Sequence, residues 1–245
     1  MVPRGSVALV TGAAKRLGRA IALRLARGGC RVAVHYRGSR AEAEGVVREI
    51  AAAGGEARAF AADLARAESA ARLVAAVGKG LGPITVLVNN ASVFRGAPFL
   101  SGGVADLDVH LAVNLRAPYL LARAAAHGMS ARGGGKIVNL GDIHADRPLG
   151  GHAAYSISKA AIHAMTLALA RELAPAIQVN AVAPGAVLLP EGAPDSLRRD
   201  LLRNIPAERL GTPGEVAEAV AFFVEGPDFV TGEILRVDGG RHLRG

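Results

Sequence analysis

The chain has 245 residues, 51% hydrophobic and 20% charged, with a net charge of +8. That length allows a large core near the upper limit of one domain, and no apolar run reaches the ~18–20 residues that span a bilayer. The positive charge raises nucleic acid as a partner, but the arginines are dispersed and aromatics are only 4% with no Trp, which leaves little for base stacking and argues against nucleic acid; without a bilayer-length apolar run no membrane partner is expected either.

In chain order, "MVPRGS" resembles a thrombin-cleavage remnant, so Met1–Gly5 are not read as part of the fold. No charged-then-apolar leader pattern opens the sequence. "SVALVTG" reads as a strand and "RLGRAIALRLARGG" as a helix closed by Gly28 and Gly29. "CRVAVHY" is the second strand, opened by Cys30 as a buried thiol; this single cysteine excludes an internal disulfide and fits a reducing compartment, so a cytoplasmic protein is expected. A helix over 41–53 follows, then the strand "EARAFAAD" and a helix over 68–80. "ITVLVNNA", a helix over roughly 104–128, "GKIVNLGD", a helix bearing Tyr155 and Lys159, "IQVNAVAPG", an amphipathic tail and "EILRVDGG" complete the chain. Continuous apolar strands alternating with helices imply an α/β fold: one doubly wound parallel sheet of Rossmann type, with helices on both faces and a single domain over 1–245. The least predictable stretch is about 190–211.

"VTGAAKRLGRAIA" puts a loop between a strand and a helix, where backbone N–H groups and the helix start can hold a pyrophosphate. Gly12 allows the tight turn and Gly18 close helix–sheet packing. At the end of the second strand, where NAD-binding folds place an acid for the ribose, the sequence reads "HYRGSR" with no acid until Glu42. Arg16, Arg37, Ser39 and Arg40, with Lys15 nearby, either form a pocket for a 2′-phosphate or are solvated loop charges; the missing acid favours NADP(H). Asp63, in "FAADL", is a helix cap or a crevice residue, and Asn89 and Ala91 sit at the next strand end.

"NLGDIHADRPLGGHAAYSISKAA" spaces Tyr155 and Lys159 one helical turn apart, on one face. A nearby ammonium favours tyrosinate, so the pair reads as a phenol prepared to exchange a proton. Asp142, thirteen residues before Tyr155, pushes the other way. His144, His152 and His163 lack metal-ligand spacing and read as loop or helix-surface residues, with no metal expected.

With Tyr155-x-x-x-Lys159, the glycine loop, "NNAS", Asn114 in "LAVNLRAP", "VAPG" and the C-terminal "TGEILRVDGG", nearly the whole chain resembles the short-chain dehydrogenase/reductase superfamily. Arg16 stands where a third glycine is usual, and Asp142 where serine is usual; both resemble the pteridine reductase branch. Val187 departs from it where some members have serine, and Gly38 where a basic residue is common.

The resemblance implies a homotetramer that reduces a small molecule. It implies Tyr155 as proton donor, Lys159 lowering the tyrosine pKa and holding the nicotinamide ribose, and Asn114 positioning Lys159 and a relay water. Asp142 would serve protonation of a ring nitrogen, or else be an ordinary loop acid. Cofactor contacts are implied at Gly12, Arg16, Leu17, His35, Arg37, Ser39, Arg40, Asp63, Leu64, Asn89, Ala91, Ser92, Tyr155, Lys159, Pro184 and Gly185. Substrate contacts are implied at Arg16, Ser92, Phe94, Asp142 and Tyr155, with Leu188 and Leu189 in a flap; Phe94 either stacks on a planar ring or packs in the core. The expected activity is NADPH-dependent reduction of a dihydropteridine C=N bond. The alternatives are a 3-oxoacyl-thioester or other carbonyl reductase, and an NADPH-sensing regulator.

Overall fold

A computed structural model describes residues 4–100, 102–189, 192 and 194–244. Seven strands form one parallel sheet: β1 (Val7–Val10), β2 (Arg31–Tyr36), β3 (Ala57–Ala61), β4 (Ile84–Asn89), β5 (Gly135–Leu140), β6 (Ile177–Pro184) and β7 (Ile234–Val237), in the order β3-β2-β1-β4-β5-β6-β7. The order reverses between β1 and β4, and such a reversal opens a crevice beyond the strands' carboxyl ends. Every sequence-predicted strand is present, on both sides of that switch point.

The strands are hydrophobic throughout because both faces are covered. In β1, Ala8 and Val10 face a core closed by α1 (Arg16–Arg27), α2 (Arg40–Ala52) and α8 (Pro213–Glu225), through Ile21, Leu25, Val46, Ile50 and Val220. Val7 and Leu9 face the opposite core, closed by α3 (Glu68–Gly80), α5 (Ala117–Ser130) and α6 (Ala153–Leu173), through Leu73, Val77, Leu121, Met129 and Ala170. Arg24 of α1 binds Glu218 and Glu225 of α8, fixing that helix pair. Cys30 is buried as expected, and burial pushes its thiol up to about 11.

The helix expected over 104–128 is a composite rod: α4 (Val104–His110), a π-helical segment at Leu111–Arg116 and α5. Asn114 lies in the π segment, an irregularity often found at functional sites. Within 190–211, α7 (Asp195–Arg203) buries none of its residues; Pro190, Glu191 and Ala193, part of the expected flap, lie outside the described residues. Among the described residues, no helix is long and apolar enough to cross a membrane.

Candidate active site

The loop from β1 to α1 forms one wall of a groove of about 490 Å³ at the switch point. Gly12 adopts φ +63°, and a Cβ there would lie 3.1 Å from Ala91 Cα. A Cβ at Gly18 would lie 2.2 Å from the Gly12 carbonyl oxygen, so the helix start must carry no side chain. His35, on β2, accepts the Gly12 N–H at Nδ1 (3.0 Å) and donates from Nε2 to the Ala62 carbonyl (3.1 Å). Both bonds require the neutral Nε2–H tautomer, and burial accordingly pushes the His35 pKa down to about 4. Thr11 Oγ1 accepts the backbone N–H groups of Asn90 and Ala91, each at 2.9 Å.

Of the expected cofactor residues, Gly12, Arg16, Leu17, His35, Arg37, Ser39, Asp63, Leu64, Ala91 and Ser92 line this groove. Asp63 also accepts the Ala65 N–H at 3.1 Å, as a local cap. Arg40 points elsewhere: its guanidinium binds Glu44 at 2.7 Å, the normal i,i+4 pairing on a helix surface. Asn89 turns inward and donates to Asn139 Oδ1 at 2.9 Å. Asn90 lines the groove instead and clamps the glycine loop by donating to Thr11 O at 2.8 Å. Its chemical type alone, as one of two consecutive asparagines, could not distinguish it from Asn89. Pro184 ends β6, and Gly185 packs so closely on Asp238 that a Cβ would lie 2.6 Å from that residue's Cβ.

Tyr155 and Lys159 lie on the buried face of α6, both under a tenth exposed. Tyr155 Oη donates to Asp142 Oδ2 at 2.6 Å, and Asp142 Oδ1 accepts the His144 N–H at 2.8 Å. Lys159 Nζ lies 5.7 Å from the Tyr155 ring centre and donates to the Leu140 carbonyl at 2.8 Å. Burial, and then the Asp142 charge and hydrogen bond, raise the phenol's pKa. The expected lowering by Lys159 is therefore not the dominant effect. Burial also pushes the ammonium down to about 8, with Asp142 opposing.

Asn114 makes no direct hydrogen bond to Lys159. It donates to Val93 O and Ser158 Oγ, each at 3.0 Å, and accepts from Val93 N (2.7 Å) and Ser92 Oγ (3.2 Å). It thus ties the segment after β4 to α6, just before Lys159. Phe94 is 55% exposed, which excludes core packing; it meets the Tyr155 ring edge-on at 4.7 Å and stacks on His152 at 4.7 Å. His110 is wholly buried, 6.2 Å from the Tyr155 ring, and accepts the Arg95 N–H. His163, expected on a helix surface, is also buried, against Gly141. Leu188 is partly exposed near the end of the described segment before α7, while Leu189 is half-buried.

The family described as Enoyl-(Acyl carrier protein) reductase matches residues 12–242. The chain belongs to the short-chain dehydrogenase/reductase superfamily. This short-chain oxidoreductase is 35% identical to the 3-oxoacyl-[acyl-carrier-protein] reductase FabG of Staphylococcus aureus over 96% of this chain and 98% of that one. It is 34% identical to an acetoacetyl-CoA reductase of Allochromatium vinosum, over 96% and 97%. A mutant form of a Serratia marcescens short-chain dehydrogenase/reductase superposes with a TM-score of 0.91 at 36% identity over 98% of both chains. A blue fluorescent protein from a metagenomic library, in complex with NADPH, gives 0.90 at 35% identity over 97% of this chain and 98% of that one. By name, the two enzymes from S. aureus and A. vinosum match the thioester alternative rather than the pteridine expectation.

The groove fits a dinucleotide on its own geometry. The first turn of α1 has no side-chain cap and no acid, so its free N–H groups suit a pyrophosphate. Arg37 lines the groove with no ion pair among the described residues, while Glu42, the nearest acid after β2, is held by Lys15 at 2.5 Å.

Proposed function

We propose that this chain is an NADPH-dependent reductase of a dihydropteridine-type C=N bond, with Tyr155 as proton donor and Asp142 as its partner. The observation that carries the substrate is the 2.6 Å hydrogen bond between them. When bound, the cofactor supplies hydride. Arg16, Arg37 and Ser39 would hold its 2′-phosphate and Asp63 its adenine, with Ala91, Pro184 and Gly185 flanking the path toward Tyr155 and Lys159.

Tyr155 keeps its proton at neutral pH, because burial and the neighbouring carboxylate both disfavour tyrosinate. A donor must then pass that proton to an atom able to compete with Asp142. A ketone oxygen is a weak base, and its developing negative charge would face a carboxylate where the family usually has serine. A pterin ring nitrogen is more basic, and the ring's amino-amide edge presents N–H donors that a carboxylate accepts. The exposed Phe94 ring beside Tyr155 gives such a planar ring a stacking surface.

The second reading, reduction of a 3-oxoacyl thioester, is favoured by the names of the relatives, which align over nearly the whole chain. It requires Asp142 to carry a proton and donate as serine does. Following NADPH oxidation with 7,8-dihydrobiopterin and with acetoacetyl-CoA separates the two. Turnover of the pterin with little of the thioester supports the first reading; turnover of the thioester alone overturns it in favour of the second. Silence with both despite tight NADPH binding points to a sensor. The proposed homotetramer is checked by the mass in solution from light scattering.

A further inference from the structure

A second cavity of about 230 Å³ lies beside the loop that follows Asp142 and outside the dinucleotide groove. At about 30 Å³ per water it has room for several waters, or for one phosphate or carboxylate. Its lining joins three parts of the chain: the loop after β5, the end of α7 at Asn204, and the C-terminal tail. The charged groups there are Arg147, Arg241 and Arg244, with His144 adding a titratable ring and no acid in the lining.

None of the three guanidiniums makes an ion pair among the described residues. Arg147 donates to the carbonyl oxygens of Arg241 (2.9 Å) and Arg244, and Arg244 donates to that of Arg203. Other cations in this chain find acids at contact distance: Arg24, Lys136, Arg209 and Arg236 all do. Two carboxylates act on Arg241 through space, Asp142 and Asp238, but Asp142 is held by Tyr155 and His144, and Asp238 by Gly240 and His242. Three positive charges around one cavity repel one another, and a bound anion relieves that repulsion.

Two hydrogen bonds connect the lining of this cavity to the reacting centre. His144 donates its N–H to Asp142, and Leu149, also in the lining, donates its N–H to Ser156, the neighbour of Tyr155. We propose that this cavity binds an anionic group, a phosphate or carboxylate, carried by the substrate away from its reducible bond. The inference rests on the reductase reading of the Tyr155 site and refines its substrate class. The anion can be the carboxylates of a glutamyl-tailed pterin or the phosphates of a pantetheine-type thioester carrier.

The test compares substrate pairs that differ only in the tail: 7,8-dihydrofolate against 7,8-dihydrobiopterin, and acetoacetyl-CoA against the acetoacetyl thioester of N-acetylcysteamine. Within the pair that is turned over, kcat/KM should favour the anionic member by about tenfold, as one charge-assisted hydrogen bond provides. Arg244→Met and Arg241→Met should each bring that ratio toward one, and Arg244→Lys should retain part of it. The pair that responds identifies the source of the anion. A ratio near one in the wild type, or one that the substitutions leave unchanged, overturns the proposal. If neither pair is turned over, the reductase reading fails, and the cavity is read directly by calorimetric titration of inorganic pyrophosphate into NADP⁺-saturated protein. Binding that is lost in Arg241→Met and weakened in Arg244→Met upholds the anion site; absent or unaltered binding overturns it.

Discussion

Tyr155 Oη donates to Asp142 Oδ2 across 2.6 Å, and the other carboxyl oxygen of Asp142 accepts the backbone N–H of His144. The carboxylate is thus aimed at the phenol, not at solvent. If it assists protonation of a ring nitrogen, Asp142→Ser should lower kcat/KM for 7,8-dihydrobiopterin by about a hundredfold, the lower range for acid–base assistance. Acetoacetyl-CoA reduction should fall far less, since serine restores the family's usual donor. Parallel losses on the two substrates would mean that Asp142 only orders the loop.

The layout behind this site is legible in the sequence. Strand–helix alternation located every strand, and the Tyr155/Lys159 spacing put both groups on the buried face of α6. What periodicity could not reveal was the direction of side chains at strand ends. Asn89 and Asn90 are adjacent and chemically identical, yet β4 turns one into the sheet and the other onto the glycine loop. Arg40 belonged on paper to the phosphate pocket, but as the first residue of α2 it meets Glu44 one turn on. The tyrosine pKa went astray because spacing records the neighbouring cation but not the depth of burial, which is the largest effect on Tyr155.

Lys159 gives the fold a pH dependence of definite sign. Its folded pKa is about 8, against the ordinary 10.5 that it recovers on unfolding. Between those values the unfolded chain holds a proton that the folded chain has released, so stability rises with pH by up to about 3 kcal/mol. Above about pH 9 Cys30, and above about pH 10 Tyr155, oppose this, since their raised pKa values make the unfolded chain lose those protons first. Urea midpoints should therefore climb between about pH 8 and pH 9, and Lys159→Met should flatten the climb. A wild-type midpoint that falls over this interval contradicts the burial argument.

His35 works at the acid end. Its folded pKa is depressed to about 4 from the ordinary 6.5, so its contribution is complete above 6.5 and is lost as pH falls through that window. The loss amounts to about 3 kcal/mol, and the charged ring can no longer accept the Gly12 N–H. His35→Asn should be less stable than the wild type at pH 7 and should show a shallower decline toward pH 4. Stability curves that stay parallel between the two proteins across this range would show that His35 does not titrate as argued.

Arg37 and Arg40 are three residues apart, but only Arg37 borders the dinucleotide groove, and it does so without an acidic partner among the described residues. A guanidinium that meets a phosphate contributes about 1.5–3 kcal/mol, or roughly ten- to a hundredfold in affinity. Arg37→Ala should therefore weaken NADPH binding by that factor and leave NADH binding nearly unchanged, which narrows the preference between the two. Arg40→Ala releases only an exposed surface pair and should alter either affinity by less than about twofold. Fluorescence titration of both nucleotides with both variants measures all four quantities. If Arg40→Ala costs as much NADPH affinity as Arg37→Ala, the Arg40–Glu44 pair opens when the nucleotide binds, and both arginines then hold the 2′-phosphate.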